Sequence, residues 1–228
     1  METLQNGYQL DIPEGAFPLS TDSMLLCDFV RLPKNAKVID LGSGSGTLGL
    51  LLCAKDTGCH VTGLEIDEIS HHAALQNIQR NDIAARLSSC LCDLRTVGAE
   101  NAHVCVSNPP YYTGGPASLE NATARRDDLC STEELMAAAS RAVRYGGDFY
   151  LVHKPEKLAQ LCALGGKYQL EAKQLRLIRH RENGPISLIL LQFRKGGKPG
   201  LQIDEKSLFC ADGSPTDYYR SVYHIQEV

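Results

Sequence analysis

The sequence predicts an α/β protein built on one mostly parallel sheet of seven strands that closes with an antiparallel hairpin, and three observations carry that expectation. Short apolar runs that end in polar or glycine-rich turns alternate with helical patterns, and repeated strand–helix units give parallel strands joined by right-handed crossovers. Two consecutive strands, from about Tyr168 to Ile178 and from Ile186 to Phe193, have no helix between them, which an antiparallel hairpin requires. The polar residues Asp40, Glu65, Asp93 and Asn108 all fall at the carboxyl ends of strands, the edge where open α/β sheets bind ligands.

Taken in order, residues 1–35 form an N-terminal segment that includes the apolar helix Met24 to Val30, for which Thr21-Asp22 is a candidate N-cap. A main unit spans residues 36–196 and a tail spans 197–228. Lys37-Val38-Ile39-Asp40-Leu41 is a buried strand that runs into Gly42-Ser43-Gly44-Ser45-Gly46 and then into the helix beginning at Thr47. His60 to Glu65 forms the second strand and is followed by a helix through Ile69, Ala73, Gln76 and Ile78. Leu87 to Cys92 and His103 to Ser107 are the third and fourth strands. Ser131-Thr132-Glu133-Glu134 reads as a capping box that opens a helix to Arg144, stopped by Gly146-Gly147. Gly147 to His153 is the fifth strand, Pro155 begins another helix, and the hairpin completes the sheet.

The glycine turn lets the backbone enter conformations closed to other residues and lets a ligand approach the start of a helix. Its spacing is G-x-G-x-G rather than the G-x-G-x-x-G of dinucleotide sites, and Asp40 precedes it by two residues. A carboxylate there repels a pyrophosphate but suits the amino group of a methionine moiety, so S-adenosyl-L-methionine (AdoMet) is the expected cofactor, against a glycine turn with no ligand. Glu65, preferred over its neighbour Asp67, is placed to accept from the ribose hydroxyls. Asp93, followed by the apolar Leu94, is placed to accept from the adenine amine, the alternative being a solvated or helix-capping acid.

Asn108-Pro109-Pro110-Tyr111 ends the fourth strand. The Asn side-chain carbonyl accepts an N–H, the prolines remove backbone donors and fix the turn, and the Tyr ring offers a stacking face, so the set suits a planar amide or nucleobase amine. Tyr112 extends the aromatic surface or simply packs. The segment from Thr113 to Cys130 carries Gly114-Gly115 and Arg125-Arg126 and reads as a mobile target-recognition loop, because a long irregular segment beside a site is usually functional.

Composition narrows the class. The 228 residues are 43% hydrophobic and 22% charged, with net charge −4, and no apolar stretch is long enough to span a bilayer. Met1-Glu2-Thr3-Leu4-Gln5 lacks a basic-then-apolar leader, and the nine cysteines are odd in number and scattered, so a reducing cytoplasmic location is expected. Neither the cysteines nor the histidines, His153 among them, make a ligand spacing, so no metal is expected. The acidic balance gives no general attraction to nucleic acid, and binding RNA would need a local basic face. Arg176, Arg179, His180 and Arg181, with Arg194, Lys195 and Lys198, are the candidates, against the alternative of charges that protect a sheet edge. Tyr218, Tyr219 and Tyr223 in the tail are expected to pack on the domain.

With these residues in view, the chain resembles class I AdoMet-dependent methyltransferases with a Rossmann-like sheet. Phe17-Pro18-Leu19-Ser20-Thr21-Asp22-Ser23-Met24-Leu25-Leu26, the N-P-P-Y-Y run and the tail Arg194-Lys195-Gly196-Gly197-Lys198-Pro199-Gly200-Leu201 resemble the bacterial tRNA(Val) adenine-N6 methyltransferase family. The resemblance implies a tRNA substrate methylated on an adenine N6 amine beside the anticodon. It also implies that Thr21-Asp22 folds over the methionine end of the cofactor, and that Gly42, Ser43, Gly44, Gly46 and Ile66 line it. Asn108 and the Pro109 main-chain carbonyl then accept the two N–H groups of the amine while Tyr111 stacks on the base. Arg125, Arg126, Arg179, Arg181 and Lys195 remain candidates for RNA contact, and no obligate protein partner is evident. A protein-glutamine N5 methyltransferase presents the same donor geometry. Ribosomal RNA or DNA as the methylated substrate, and a non-catalytic binding module, also stay open.

Overall fold

The computed structural model describes residues 2–4, 7–13, 19–110 and 130–224. Among the described residues, ten strands and six helices follow in order: β1 Glu2–Thr3, β2 Gln9–Leu10, α1 Thr21–Phe29, β3 Lys37–Leu41, α2 Thr47–Lys55, β4 His60–Glu65, α3 Glu68–Arg80, β5 Leu87–Leu91, β6 Ala102–Ser107, α4 Thr132–Ala142, β7 Val143–His153, α5 Leu158–Lys167, β8 Leu170–Arg181, β9 Ile186–Lys195, β10 Gln202–Phe209 and α6 Asp217–Val222. One-turn 3-10 helices occupy Leu94–Thr96 and Pro155–Lys157.

All seven expected strands form, and they lie in a sheet of eight ordered β10-β8-β9-β7-β6-β3-β4-β5. Only β9 runs antiparallel to its neighbours in this sheet. The eighth strand is β10, contributed by the tail and paired parallel to β8 from Gln202↔Gln174 to Phe209↔Arg181. Its sequence Gln202-Ile203-Asp204-Glu205-Lys206 is too charged to read as a strand, because an edge strand needs little apolar surface and is protected by charge.

Strand alternation sorts the apolar residues onto two faces. Val104, Val106, Tyr150, Val152, Leu188 and Leu190 face a core completed by Leu25, Leu26 and Phe29 of α1 and Leu50 and Leu52 of α2. Cys105, Phe149, Leu151, Ile189, Leu191 and Phe193 face the opposite core, completed by Leu135, Met136 and Ala139 of α4 and Leu161 of α5. Helices therefore cover both faces, as a buried parallel sheet demands. The α4 start carries both halves of its capping box: Ser131 Oγ accepts the Glu134 amide N–H at 3.2 Å and Glu134 Oε2 accepts the Ser131 N–H at 2.8 Å. That helix stops at Ala142, two residues before the expected end at Arg144, and β7 begins directly at Val143, ahead of the expected glycine stop.

Both terminal segments are tied to the domain. Asn81 exchanges two hydrogen bonds with the backbone of Gln9, each 2.7 Å, and Asn77 exchanges two with the backbone of Asp11 at 2.9 and 2.8 Å. In the tail the ring of Tyr219 lies 4.9 Å from Phe209 and 4.5 Å from Tyr223, and the Tyr223 hydroxyl donates to Thr21 Oγ1 at 3.0 Å. Tyr218, Tyr219 and Tyr223 are partly buried against the core that α1 and α2 complete.

Candidate functional site

The carboxyl ends of β3, β4, β6 and β7 surround a cavity of about 1030 Å³. One wall is Asp40, the glycine turn, Glu65 and Ile66; the floor includes Ser107, Asn108, Pro109 and Pro110; the other wall is His153, Lys154, Lys157, Ile186 and Ser187. The volume sits at the upper end of the range for a single small-molecule site.

The glycine turn adopts left-handed backbone at Gly42, Gly44 and Gly46, with φ of 74°, 56° and 82°. A side chain at these positions is strained, which explains why three glycines are spaced this way. Gly46 starts α2 without a side-chain cap and lies over Ala74, so it serves helix packing and does not line the cavity. Across the turn, Gly63 of β4 makes room: a Cβ there would fall 2.6 Å from Ser43 Oγ and 2.7 Å from Ser43 Cβ.

Asp40 is 2% exposed, and its Oδ2 is a buried oxygen with no partner among the described residues, as are Ser43 Oγ and Ser45 Oγ. Burial, with a smaller contribution from the charge on Glu65, pushes the Asp40 carboxyl up to about 7. Buried polar atoms are ordinarily hydrogen-bonded, so three orphaned acceptors beside one glycine turn mark a place that a ligand with donors completes. An amino acid ammonium fits this set: it supplies the charge that Asp40 lacks and up to three N–H donors.

Glu65 is held by the backbone. Its Oε2 accepts the Gly44 N–H at 2.7 Å and its Oε1 accepts the Ile66 and Asp67 N–H groups at 2.9 and 2.8 Å. Of roughly four lone-pair sites on a carboxylate, three are used, which leaves one for a ribose hydroxyl. Taking both hydroxyls, as expected from sequence, requires one backbone donor to be given up.

Several sequence candidates lie elsewhere. Asp93 does not line the cavity: it caps the Leu94–Thr96 turn, accepts from the Arg95 amide and pairs through both oxygens with the Arg95 guanidinium, Oδ1 at 3.0 Å and Oδ2 at 2.5 Å. That pairing holds its carboxyl below the usual range, and only its neighbour Leu94 reaches the cavity. Thr21 and Asp22 lie in the first turn of α1, whose N-cap is Ser20, and neither lines the cavity. Lys195 lies away from the cavity. It ends β9, the antiparallel strand, and so lies at the opposite edge of the sheet, where its amine donates to the carbonyls of Ser140 and Val143. Arg179 pairs with Glu205 and donates to the Gly184 carbonyl, while the exposed Arg181 lies at the end of β8, two strands from β7. Tyr111, Tyr112, Arg125 and Arg126 lie outside the described residues.

Two serines escaped the sequence reading. Ser23 is 5% exposed and accepts a hydrogen bond from Asn108 Nδ2 at 2.9 Å, bridging α1 to the end of β6. With its nitrogen held this way, the Asn108 amide turns its carbonyl end away from Ser23. Ser107, one residue earlier, donates to the Leu41 carbonyl at 2.8 Å and locks the ends of β6 and β3 together. His153 lines the cavity with Nδ1 accepting the Lys154 N–H at 2.8 Å; burial and then the Lys157 charge push it down to about 4. No group of metal-ligating side chains occurs among the described residues, and no helix there is long and apolar enough to cross a membrane.

Residues 19–164 match the methyltransferase small domain family. Among curated relatives, a tRNA1(Val) (adenine(37)-N6)-methyltransferase from Photobacterium profundum is 29% identical over 182 residues, covering 76% of each chain. One of the same description from Aeromonas hydrophila is 25% identical over 215 residues, covering 93% of this chain and 91% of its own. A crystal structure described as a predicted O-methyltransferase from Agrobacterium tumefaciens superposes with TM-score 0.73 at 20% identity, over 90% of this chain and 96% of its own, a likeness of fold. The glycine turn, the buried acid behind it and the strand-end asparagine thus stand in a chain that belongs to the methyltransferase small domain family.

Proposed function

We propose that this protein transfers a methyl group from AdoMet to the exocyclic N6 amine of an adenine in tRNA, at the position beside the anticodon. The observation that carries the reading is Asn108, presented at the end of β6 between the acid-lined cofactor wall and the lysine-bearing wall, with its amide nitrogen held by Ser23. The names of the Photobacterium and Aeromonas relatives support the substrate.

AdoMet supplies, when bound, a methyl carbon made electrophilic by a sulfonium. Asp40, Ser43 and Ser45 hold its amino acid end and Glu65 its ribose, with Ile66 and Leu94 against the adenine. The target amine is a poor nucleophile because its lone pair is delocalised into the purine. Asn108 Oδ1 and the Pro109 carbonyl accept its two N–H groups, which localises that lone pair toward the methyl carbon. No strong base is required, and most of the acceleration comes from alignment, a contribution that reaches roughly 7–11 kcal/mol. His153, neutral above pH 5 and with Nδ1 already accepting, is a fixed wall rather than a proton carrier. Tyr111 stacks on the base, which must first leave the anticodon stack at a cost of a few kcal/mol. Residues 1–35 cover the cofactor, 36–196 form the catalytic unit and 197–228 complete the sheet. The cytoplasm is where such a substrate is met.

Labelled AdoMet incubated with the purified protein and with bulk tRNA, ribosomal RNA and protein from cells lacking the gene tests this. Label recovered from tRNA as N6-methyladenosine is the expected result; label recovered as N5-methylglutamine in protein overturns the substrate and keeps the amide chemistry.

A further inference from the structure

Charge on the cavity walls is segregated. Asp40, Glu65 and Asp67 lie on the cofactor wall, whereas the cations that line the cavity among the described residues are Lys154 and Lys157, both on the opposite wall with the exposed Glu156 between them. The β6–β7 register explains their position. Ser107 is level with Leu151, so continuing both strands brings Pro109 level with His153 and Pro110 level with Lys154. Adjacent strands are about 4.8 Å apart. The lysine turn is therefore the immediate neighbour of the asparagine-proline turn.

The turn is also built to stay there. His153 is 8% exposed and its Nδ1 takes the Lys154 N–H, Pro155 fixes the first position of the 3-10 turn Pro155–Lys157, and Lys157 Nζ donates to Gln160 Oε1 at 3.1 Å, a neutral partner that leaves the ammonium charge uncompensated by it. Both lysines are half-buried, as suits side chains whose apolar stems can lie along a wall. Of the basic residues that the sequence offered, Arg176 pairs with Asp28 and Asp204, Arg179 with Glu205 and Arg194 with Asp148, and Lys195 donates to backbone carbonyls, while Arg181 and Lys198 are exposed away from the β6 end.

A base inserted beside Asn108 leaves its own phosphates behind, because a phosphodiester is too strongly hydrated to follow a planar base into a partly apolar cavity. Those phosphates must lie at the mouth. We infer that Lys154 and Lys157 form a clamp for the RNA phosphates flanking the target nucleotide, so that the β7–α5 turn, rather than the β8 and β9 arginines, positions the strand for reaction. This rests on the RNA reading of the site. The clamp contributes charge and no base contact, so it acts on affinity and register for any sequence presented there.

The test uses the full chain and an unmodified tRNA transcript, with binding titrated over a range of KCl concentrations and AdoMet affinity and thermal midpoint measured alongside. Lys154→Gln/Lys157→Gln keeps most of each stem and removes both charges. The expected result is a log K against log salt slope shallower by about 1.5, as loss of two phosphate contacts predicts, and about a tenfold rise in KM for tRNA at low salt. AdoMet affinity and thermal midpoint stay at wild-type values, and Lys154→Arg/Lys157→Arg restores the slope. A double variant with the wild-type slope and KM overturns the clamp alone. A wild-type protein that shows no salt-dependent affinity for RNA overturns the clamp together with the substrate reading.

Discussion

Asn108 and Asp40 are single residues whose surroundings convert ordinary side chains into specialised ones. Asn108→Ala removes the acceptor for the amine and is expected to lower kcat by roughly 10²–10³-fold, the scale of losing one preorganised polar partner, while AdoMet affinity stays within severalfold. Single-turnover rates with calorimetric AdoMet binding check this. Ser23→Ala frees the Asn108 amide to rotate, and about a tenfold loss in kcat with unchanged AdoMet affinity is expected; Ser23→Thr, which keeps the hydroxyl, should recover most of it. Asp40 carries a pH signature. Its folded carboxyl is raised to about 7 from an ordinary value near 4, so in the ligand-free protein its contribution to stability is present below pH 4 and is lost as pH rises through 7. An ammonium ligand selects the ionised form. AdoMet affinity should therefore climb about tenfold per unit as pH rises toward 7, then fall above about 8 as the ligand's own α-amino group loses its proton. Asp40→Asn should bind weakly and lose the acidic limb; a wild-type profile flat between pH 5.5 and 7 would exclude the pairing. Asp40 and Glu65 were legible in sequence as cavity-lining acids because strand ends beside a glycine turn are where open α/β sheets form their ligand crevice. Lys154 and Lys157 were not, because a lysine has the same letter whether it lines a cavity or coats a surface, and only the β6–β7 register separates the two.

At the scale of elements, the glycine turn and β4 form one unit. Gly63 lies in a strand, where glycine is ordinarily unfavourable, and it is there because Ser43 occupies the space of its side chain. Gly63→Ala should push the turn away from β4 and weaken AdoMet by about tenfold or more, with a smaller loss of stability, which AdoMet titration and thermal melting together resolve. The alternation of strands and helices was legible because each strand is a short apolar run closed by a turn. The α4 start was legible from its capping box, since both bonds are local. Asp93 shows where local reading fails: the acid does end up at a strand end, but Arg95 two residues on completes a local pair that no cofactor is needed to explain. Lys195 fails for the opposite reason, since its place at the far edge follows from the reversed direction of β9, a property of the whole sheet.

At the scale of the molecule, the chain threads both its terminal segments back onto the domain. Removing residues 202–228 uncovers the β8 edge and the core around Leu208 and Val222, each 4% exposed, and burial of two such side chains is worth about 3–6 kcal/mol. The truncated protein should melt at a clearly lower temperature and aggregate on heating, as light scattering during a thermal ramp would report. The net charge of −4 can be read without any structure, and it requires that any RNA surface be local. The placement of β10 has a further consequence during synthesis. The strand that finishes the sheet is made after every other strand, so a nascent chain holds the β8 edge open until residues 202–209 clear the ribosome. The sheet is thus completed only once β10 has been made, and a message that stops short of those codons yields a sticky sheet edge in place of an enzyme.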